Sequence, residues 1–241
     1  MIASERVGRV VTITLDGTRA NALTAQRYDA IRETASGLVS DDVLVLRSEG
    51  RTFCAGQDLG EFRVAQAAGE VGALIERGAQ AVLAVLECRA PVVCVVQGAA
   101  VGAGALLAAC ADVLVLGEEA RLSLPELTLG MPLGGAVAAR LLPWPVVRRM
   151  MLTGEVVDAS EVAAHGSTPV VASAKLVVET ERQVRRLLDL DPRAVSLARQ
   201  SWGEGERARA AEQYREEVAA TLTCMNGAGR SAVSEADCGS Q

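Results

Sequence analysis

The sequence predicts a layered α/β protein with parallel strands, because strand and helix patterns alternate through the N-terminal half of the chain. The clearest strand pattern is at residues 91–97, where Pro-Val-Val-Cys-Val-Val forms a continuous, mostly β-branched run. The last third of the chain carries helical patterns alone. No repeat of fixed period is visible, although short strands that return in register could also build a spiral.

The N-terminal half supplies the alternating elements. Residues 7–15 alternate in polarity and are rich in β-branched side chains, which predicts one half-buried strand that ends at Asp16-Gly17. Thr24 is a candidate N-cap for a helix that runs to about residue 39. The elements expected next are a short buried strand at 43–47, a loop at 48–59, a helical stretch at 61–87 with a break near 69–72, a small-residue helix at 102–110 and a strand at 112–116.

The C-terminal part is expected to be helical. Beyond Pro132 the patterns predict helices at 135–142, 145–152, 159–164, 174–188, 192–199 and 206–222. From residue 223 onward the composition shifts to Gly, Ser and Asn, which predicts a disordered tail. We therefore divide the chain into a core at 1–190, a C-terminal helical region at 191–222 and a tail at 223–241.

The composition argues against several classes of function. Of the 241 residues 50% are hydrophobic but only 2% are aromatic, so the core must consist of Ala, Val and Leu. The net charge is −6 and no basic run is present, which argues against a nucleic-acid partner. The six cysteines form no CxxC pair and His165 is the only histidine, so a zinc site of Cys and His is not expected.

The sequence also predicts where the protein is found. Residues 1–4 lead directly into charged residues and a strand pattern, so no signal peptide is expected. The apolar stretch at 91–116 is interrupted by Gln97, Asp112 and several glycines, which indicates strand, turn, helix and second strand rather than a membrane span. We expect a cytoplasmic protein without a membrane partner.

Three segments could carry chemistry, and the first is the loop at 51–59 with its Ala55-Gly56 pair. Because neither residue has a bulky side chain, a backbone N–H there can approach a ligand closely. The alternative is a tight connection in which Asp58 caps the next helix.

The second segment is the glycine-rich turn from Gly98 to Gly104, directly after the clearest strand. A strand that leads through such a turn into a helix presents free N–H groups at the helix N-terminus, which suits an anion or a developing oxyanion. The spacing does not fit the GxGxxG pattern of dinucleotide-binding proteins, and no acidic residue ends the following strand. The alternative is a small-residue helix packed closely on the sheet.

The third segment contains Glu126, the one carboxylate among the apolar residues 122–132. A lone acid among Leu, Pro and Met should have a raised pKa, which suits a general acid/base near neutral pH. The alternative is a surface glutamate at a helix start, where the helix dipole favours negative charge.

Together these segments resemble the crotonase (enoyl-CoA hydratase/isomerase) superfamily over about residues 5–222. Residues 53–59 are similar to its FxAGxDL loop, residues 98–104 with Asp112 to its glycine-rich turn and helix, and Pro125-Glu126 to its PE pair. The order and gaps match without insertion from Gly98 to Glu126. Residues 21–23 resemble its N-terminal NAL motif, and residues 152–154 its LTG motif.

The resemblance implies a crotonase-like spiral of ββα repeats, C-terminal helices that drive trimerisation, and a coenzyme A thioester substrate. It also implies that backbone N–H groups of Ala55 and Ala103 hold the oxygen of a thioester enolate, with Glu126 as the catalytic acid/base. The only cofactor expected is the coenzyme A of the substrate, and the partners expected are the acyl-CoA thioester and further copies of the chain in a homotrimer or hexamer. The residues expected to bind the substrate are Arg19, Arg51, Gly56, Gln57, Asp58, Gly102, Leu106 and Met131.

The sequence departs from the family pattern at Leu106, where hydratases of the family carry a second glutamate. Hydration benefits from two carboxylates, so hydratase activity should be weak unless Glu61 or another acid reaches the site. One base suffices to move a proton from C2 to C4 of a 3-enoyl-CoA, and an enoyl-CoA isomerase is therefore the leading hypothesis. The alternatives are a hydratase, an acyl-CoA decarboxylase, or a catalytically weak acyl-CoA-binding partner subunit.

Other features bear on binding and reactivity. The proline near Met131 is shifted relative to the family's GxxPGxGG run, which leaves the acyl specificity open. Residues 223–241 contain one basic residue, Arg230, so the candidates for the coenzyme A phosphates are Arg19 and Arg51, with solvated arginines as the alternative. His165 is expected to be a partly exposed residue at a helix end, and no sequence neighbour would activate the Cys54 thiol.

Overall fold

The computed structural model of the protein describes the backbone of residues 2–166 and 168–236, and the side chains of these residues except 202–204 and 226–236. The strands are β1 (Ala3–Val7), β2 (Val10–Leu15), β3 (Val43–Ser48), β4 (Val92–Val96), β5 (Ala99–Val101), β6 (Val113–Gly117), β7 (Arg121–Ser123), β8 (Val157–Asp158) and β9 (Val170–Val171). The α-helices are α1 (Ala25–Ser36), α2 (Leu59–Ala68), α3 (Val71–Leu86), α4 (Ala103–Ala109), α5 (Gly135–Ala138), α6 (Trp144–Thr153), α7 (Ala159–His165), α8 (Leu176–Leu188), α9 (Pro192–Ala198) and α10 (Glu204–Ala236). Short 3-10 helices lie at Arg19–Asn21, Glu126–Leu129 and Ser173–Lys175, and a π-helical turn lies at Arg199–Gly203.

The strands form two sheets. The larger sheet has the order β1-β2-β3-β4-β6-β9, and the smaller has the order β5-β7-β8. In the larger sheet only β1 and β2 pair antiparallel, whereas β2 to β9 pair parallel. The prediction of a layered α/β core with parallel strands is therefore confirmed.

Successive strands of the chain alternate between the two sheets, and this alternation forms a spiral. β4 lies in the larger sheet and β5 in the smaller one, and β6 and β7 repeat that pattern. α4 follows β5, and the 3-10 helix at Glu126–Leu129 follows β7. Each turn thus places one strand in each sheet and then a helical segment, which is the spiral of ββα repeats that the family resemblance implies.

The larger sheet is covered on both faces, which explains the continuous apolar run in β4. Leu46 and Val96 face the main core, which also contains residues of α1, α3 and α4. Val45 and Val95 face the other way, toward Leu176 at the start of α8. A parallel strand that is buried on both faces has a continuous apolar sequence rather than an alternating pattern.

The structure differs from the sequence prediction at the first strand. Residues 7–15 were expected to form one strand, but the chain folds into the β1–β2 hairpin, in which Val7 pairs with Val10. The turn between them contains Gly8, whose φ is 59°. A φ of this sign suits the tight turns of hairpins and is readily adopted by glycine, so Gly8 is the feature that splits the strand.

Apart from the last helix, the helices begin and end close to the predicted residues. Thr24 caps α1 through a hydrogen bond from the backbone N–H of Arg27, and the break in the 61–87 stretch falls at Gly69. The last helix differs from the expectation of a disordered 223–241 tail, since α10 continues to Ala236. No proline follows Pro192 to stop it. Residues 237–241 lie outside the described residues.

None of the helices in the described residues is long and apolar enough to cross a bilayer. Within the same residues, no group of three or more His, Cys, Asp or Glu side chains could hold a metal ion.

Candidate active site

The three chemically suggestive segments are brought together by the smaller sheet. Cys54 forms an isolated parallel bridge with Ala100 in β5, through its N–H to the Ala99 carbonyl at 3.0 Å and its carbonyl to the Val101 N–H at 2.9 Å. β5 in turn pairs parallel with β7, which leads into Glu126. The 51–59 loop, the glycine-rich turn and the glutamate are therefore neighbours on successive turns of the spiral.

The N-terminal Asn21 holds the 51–59 loop in place. Its side-chain Nδ2 donates to the carbonyls of Glu49 and Thr52, both at 2.8 Å. Asn21 is buried and has a φ of 55°, a left-handed conformation that asparagine tolerates better than most residues. The asparagine of the NAL motif therefore has a structural role, which the sequence alone did not predict.

The hydrogen bonds of the loop correct one predicted oxyanion donor. The Ala55 N–H donates to the Ala20 carbonyl at 3.0 Å, so it is not free for a substrate. The Gly56 N–H contacts the Cys54 Sγ at 3.4 Å. The Gln57 N–H, by contrast, has no acceptor among the described residues. Ala55 was therefore the wrong residue, and the free donor in this loop is the backbone of Gln57.

The second predicted donor stays available. Ala103 is the first residue of α4, and its N–H has no acceptor in the described part of the chain. The first N–H groups of a helix lack intrahelical partners, which leaves them for a ligand. Gln57 and Ala103 line the same cavity. The structure thus brings together one free N–H from each of the two predicted turns.

Glycine is required where these turns meet Glu126. Gly102 has a φ of 52°, and a Cβ built on it would lie 2.7 Å from the Glu126 Oε1. Gly56 has a φ of 78°, and its Cβ would lie 2.6 Å from the Val101 carbonyl oxygen. Any larger residue would push the turns apart and displace the carboxylate.

Glu126 has the environment of an acid/base catalyst. It begins the 3-10 helix after Pro125 and is only 5% exposed. Its Oε2 is buried and has no hydrogen-bond partner among the described residues. Burial raises the pKa of this carboxyl to about 7. The alternative of a surface glutamate at a helix start is thereby excluded.

The cavity around Glu126 has a volume of about 300 Å³ and mostly apolar walls. Leu106 and Met131, two of the predicted substrate-binding residues, line it and are buried, and their contact with the substrate stays a prediction. Among the described residues that line the cavity, Glu126 is the only acid. The arrangement can stabilise negative charge on a carbonyl oxygen and move one proton at a time.

Glu61 does not supply a second acid. Its Oε2 accepts a hydrogen bond from the Ala25 N–H at 2.6 Å, at the start of α1. Asp58 caps α2 by accepting from the Glu61 N–H at 2.9 Å and does not line the cavity. The predicted substrate contact of Asp58 is therefore replaced by the capping role that was its alternative.

The two predicted phosphate-binding arginines lie away from the Glu126 cavity. Arg19 and Arg51 are both exposed. Arg51 lines a separate cleft of about 1000 Å³ between the larger sheet and α8, whereas Arg19 lines neither cavity. Their contact with coenzyme A stays a prediction.

His165 and Cys54 belong to residue types that are often catalytic, but neither is positioned to take part in the proposed reaction. His165 is exposed at the end of α7, as its sequence context predicted. Cys54 is fully buried, and burial raises the pKa of its thiol to about 12, so it is no nucleophile near neutral pH.

Sequence reasoning missed the cavity-lining role of two tyrosines. Tyr28 on α1 was predicted only as a residue on one helical face, and Tyr214 on α10 was not singled out. Both are buried and line the cavity that contains Glu126. The one signal in the sequence is that these are the only tyrosines in the chain.

The comparison with known proteins agrees with this geometry. The model of a family described as "Enoyl-CoA hydratase/isomerase" matches residues 5–227. The chain belongs to the enoyl-CoA hydratase/isomerase family. This confirms the resemblance to the crotonase superfamily and makes the protein an enzyme of acyl-CoA metabolism in the broad sense.

Its relatives within the family have different activities. A (7aS)-7a-methyl-1,5-dioxo-2,3,5,6,7,7a-hexahydro-1H-indene-carboxyl-CoA hydrolase from Mycobacterium tuberculosis is 34% identical over 88% of both chains. A 2,3-dehydroadipyl-CoA hydratase from Escherichia coli is 32% identical over 81% of this chain and 79% of its own. The crystal structure of a family member from Xanthobacter autotrophicus superposes with a TM-score of 0.83 at 22% identity, covering 92% of this chain and 86% of that one.

Proposed function

We propose that the protein catalyses a reaction through the enolate of an acyl-CoA thioester with Glu126 as its single acid/base, and that this reaction is the Δ3-to-Δ2 isomerisation of an enoyl-CoA. The observation that carries the proposal is the cavity itself. It places one carboxyl with a pKa of about 7 beside two free backbone donors, while Leu106 occupies the position of a second acid.

The geometry suits the first half of such a reaction. The thioester oxygen would accept hydrogen bonds from the N–H groups of Gln57 and Ala103, and these bonds strengthen as negative charge develops on the oxygen. Donors fixed in this way each lower a barrier by about 3–4 kcal/mol. The C2 proton becomes acidic enough for the Glu126 carboxylate to remove it.

The second half of the reaction uses the same group. After the C2–H bond breaks, the electron pair is delocalised over the dienolate as far as C4. Glu126 returns its proton to C4, and the double bond is then between C2 and C3. No water enters or leaves, so a second carboxyl is not needed.

A second candidate is hydrolysis of an oxo-acyl-CoA, because the mycobacterial relative is named as a hydrolase of a dioxo acyl-CoA. The groups of the cavity suit cleavage of a carbon–carbon bond, since that cleavage also passes through a thioester enolate. Here Glu126 would take a proton from water while the water oxygen adds to a ketone carbon of the acyl group. The carbon–carbon bond breaks, its electron pair enters the thioester enolate held by Gln57 and Ala103, and the enolate is then protonated. This reaction also needs one base and the same two donors.

A substrate panel separates the candidates. Wild type and Glu126→Gln are assayed with a trans-3-enoyl-CoA, crotonyl-CoA, a malonyl-type thioester and a 3-oxo-acyl-CoA. The proposal expects turnover of the 3-enoyl substrate that falls at least about 100-fold in the variant. Its kcat/KM should rise as pH rises through about 7, because the base must be ionised.

Other outcomes have distinct meanings. Hydrolysis of the oxo substrate without isomerisation would replace the first candidate by the second. Turnover of the malonyl-type thioester would indicate a decarboxylase. Efficient hydration of crotonyl-CoA would contradict the proposal that Glu126 is the single acid/base of the site. Binding of thioesters without turnover would indicate an acyl-CoA-binding partner subunit.

Three further expectations belong to this proposal. The active form is a homotrimer or a hexamer assembled through the C-terminal helices. The protein needs no cofactor besides the coenzyme A of its substrate, and it works in the cytoplasm. Sedimentation, activity after exhaustive dialysis against a chelator, and cell fractionation test these points in turn.

A further inference from the structure

We propose that the acyl group of the substrate carries a neutral oxygen, a ketone or a hydroxyl, that is bound by the hydroxyls of Tyr28 and Tyr214. The inference rests on the proposed acyl-CoA function and specifies the substrate class of the same cavity.

The two tyrosines reach the cavity from elements that are far apart in the chain. Tyr28 lies on α1 and Tyr214 on α10, and α3 packs against both of these helices. Each side chain is only 2% exposed, and both line the cavity that Glu126 also lines. They therefore contribute polar atoms to a space that is closed to bulk solvent at these positions.

Neither the Tyr28 nor the Tyr214 hydroxyl forms a hydrogen bond with any described residue. Neither oxygen is among the fully buried side-chain atoms that lack a partner, so both are open to the cavity that the two residues line. Buried tyrosine hydroxyls usually have a partner, because a buried polar group without one is destabilising. Phenylalanine would fill the same volume without placing a polar atom at the cavity. Two such hydroxyls in one cavity point to a ligand atom that they bind.

The tip of Tyr28 packs against α3 on one side. Gly78 of α3 lies under the phenol, and a Cβ there would be 3.2 Å from the Tyr28 Cζ and 3.5 Å from its hydroxyl oxygen. The nearby walls of the cavity are apolar and include Leu74 and Val82. Apart from the tyrosines and the residues proposed for catalysis, the polar side chain among the described lining residues is that of Thr128, whose hydroxyl is already bonded to the Pro125 carbonyl.

The charges of the cavity indicate that the bound oxygen is neutral. No Lys, Arg or His is among the described residues that line it, and Glu126 is its one acid. Burial is the main cause that raises the pKa of both tyrosines, and the Glu126 charge raises them further. Both hydroxyls therefore stay protonated and can donate. A carboxylate on the acyl chain would meet no positive charge and would be repelled by Glu126.

Binding measurements test the assignment without depending on turnover. Dissociation constants are measured by calorimetry for a saturated acyl-CoA, for analogues with one ketone at successive carbons beyond C4, and for an analogue ending in a carboxylate. We expect wild type to bind one of the ketone analogues most tightly. Tyr28→Phe and Tyr214→Phe should each weaken that binding by about 3- to 10-fold, the range of one neutral hydrogen bond, and leave the saturated acyl-CoA unchanged.

Thr128→Val provides a matched control, because the Thr128 hydroxyl already donates to the Pro125 carbonyl at 2.7 Å in a residue that lines the same cavity. Loss of the Thr128 hydroxyl should change the dissociation constants of the ketone analogue and of the saturated acyl-CoA by the same factor. Thermal melts establish that each variant is folded, and the saturated acyl-CoA serves as an internal reference for a general loss of binding.

The outcomes separate the inference from the proposed function. Equal binding of the ketone and saturated analogues, unchanged in both Phe variants, would overturn the tyrosine assignment and leave the acyl-CoA function intact. Tightest binding of the carboxylate analogue would overturn the neutral oxygen. Failure of wild type to bind any of the thioesters would contradict the proposed function as well.

Discussion

At the scale of single residues, Glu126 was predictable and its oxyanion partners were only partly so. A carboxylate among Leu, Pro and Met is unusual enough in sequence to predict burial and a raised pKa, and both are found. Ala55 and Gln57 cannot be distinguished by such reasoning. Which N–H is free depends on the Ala20 carbonyl, a contact made by a segment far away in the chain.

The raised pKa of Glu126 has a consequence for stability. Because its pKa is about 7 in the folded protein, against 4.5 as the ordinary value, the folded state keeps a proton that the unfolded state has released. The free energy of unfolding should therefore fall as pH rises from about 4.5 to about 7, by on the order of 3 kcal/mol from this group.

Glu126→Gln tests this consequence. Glutamine cannot ionise, so the variant should lose this part of the decrease and be more stable than wild type at pH 8 relative to pH 5. Denaturant unfolding at the two pH values measures the difference. Parallel stability profiles for the two proteins would show that Glu126 titrates normally.

Leu106 offers the opposite experiment, a gain of activity. It is buried and lines the same cavity as Glu126, the proposed acid/base. Leu106→Glu should raise hydration of crotonyl-CoA by about 10-fold or more, because a second carboxyl can then assist the addition of water. Leu106→Gln is the matched control, since it adds polarity without a proton donor. Equal hydration by both variants would refute the argument that hydration is limited by a missing acid.

At the scale of elements, the site depends on how Asn21 holds the 51–59 loop. Asn21→Ala would remove the Nδ2 donor of the Glu49 and Thr52 carbonyls, at a cost of about 1–3 kcal/mol in the free energy of unfolding, although the Thr52 carbonyl would keep its hydrogen bond from the Ser48 hydroxyl at 3.2 Å. The Gln57 N–H would then be less well fixed, so kcat should fall more than KM rises. Unfolding curves and steady-state kinetics measured on the same preparation check both effects. Loss of stability with unchanged kcat would limit Asn21 to a structural role.

The elements that sequence could not predict are those with too few residues to show a pattern. β5 and β7 have three residues each and β8 has two, yet they form the sheet that joins the catalytic segments. Only the family resemblance implied them. The presence of Tyr28 and Tyr214 in one cavity could likewise not be predicted from the sequence, because it arises from the packing of α1 and α10 against α3.

At the scale of the whole molecule, the C-terminal helices expose apolar side chains. Val177 and Val178 on α8 and Leu197 on α9 are each more than half exposed. Exposed apolar side chains of this kind are candidates for a protein–protein interface. Trimerisation through the C-terminal helices stays a prediction from the family resemblance.

Charged substitutions test that prediction. Val178→Glu and Leu197→Glu should shift the protein from trimer or hexamer toward monomer, because a carboxylate would be buried in the interface. Val64→Glu is the control, since Val64 is equally exposed but lies on α2. Analytical ultracentrifugation measures the assembly state. A wild-type monomer, or identical behaviour of all three variants, would contradict assembly through these helices.

The central claim is that two backbone amides distant in sequence bind one thioester oxygen next to Glu126. The most direct test is a crystal structure with a non-reactive thioester analogue of an acyl-CoA. We expect the thioester oxygen to lie about 2.7–3.1 Å from the backbone nitrogens of both Gln57 and Ala103, with the Glu126 carboxylate facing C2. A thioester oxygen bound by other groups, or an acyl chain outside the Glu126 cavity, would contradict it.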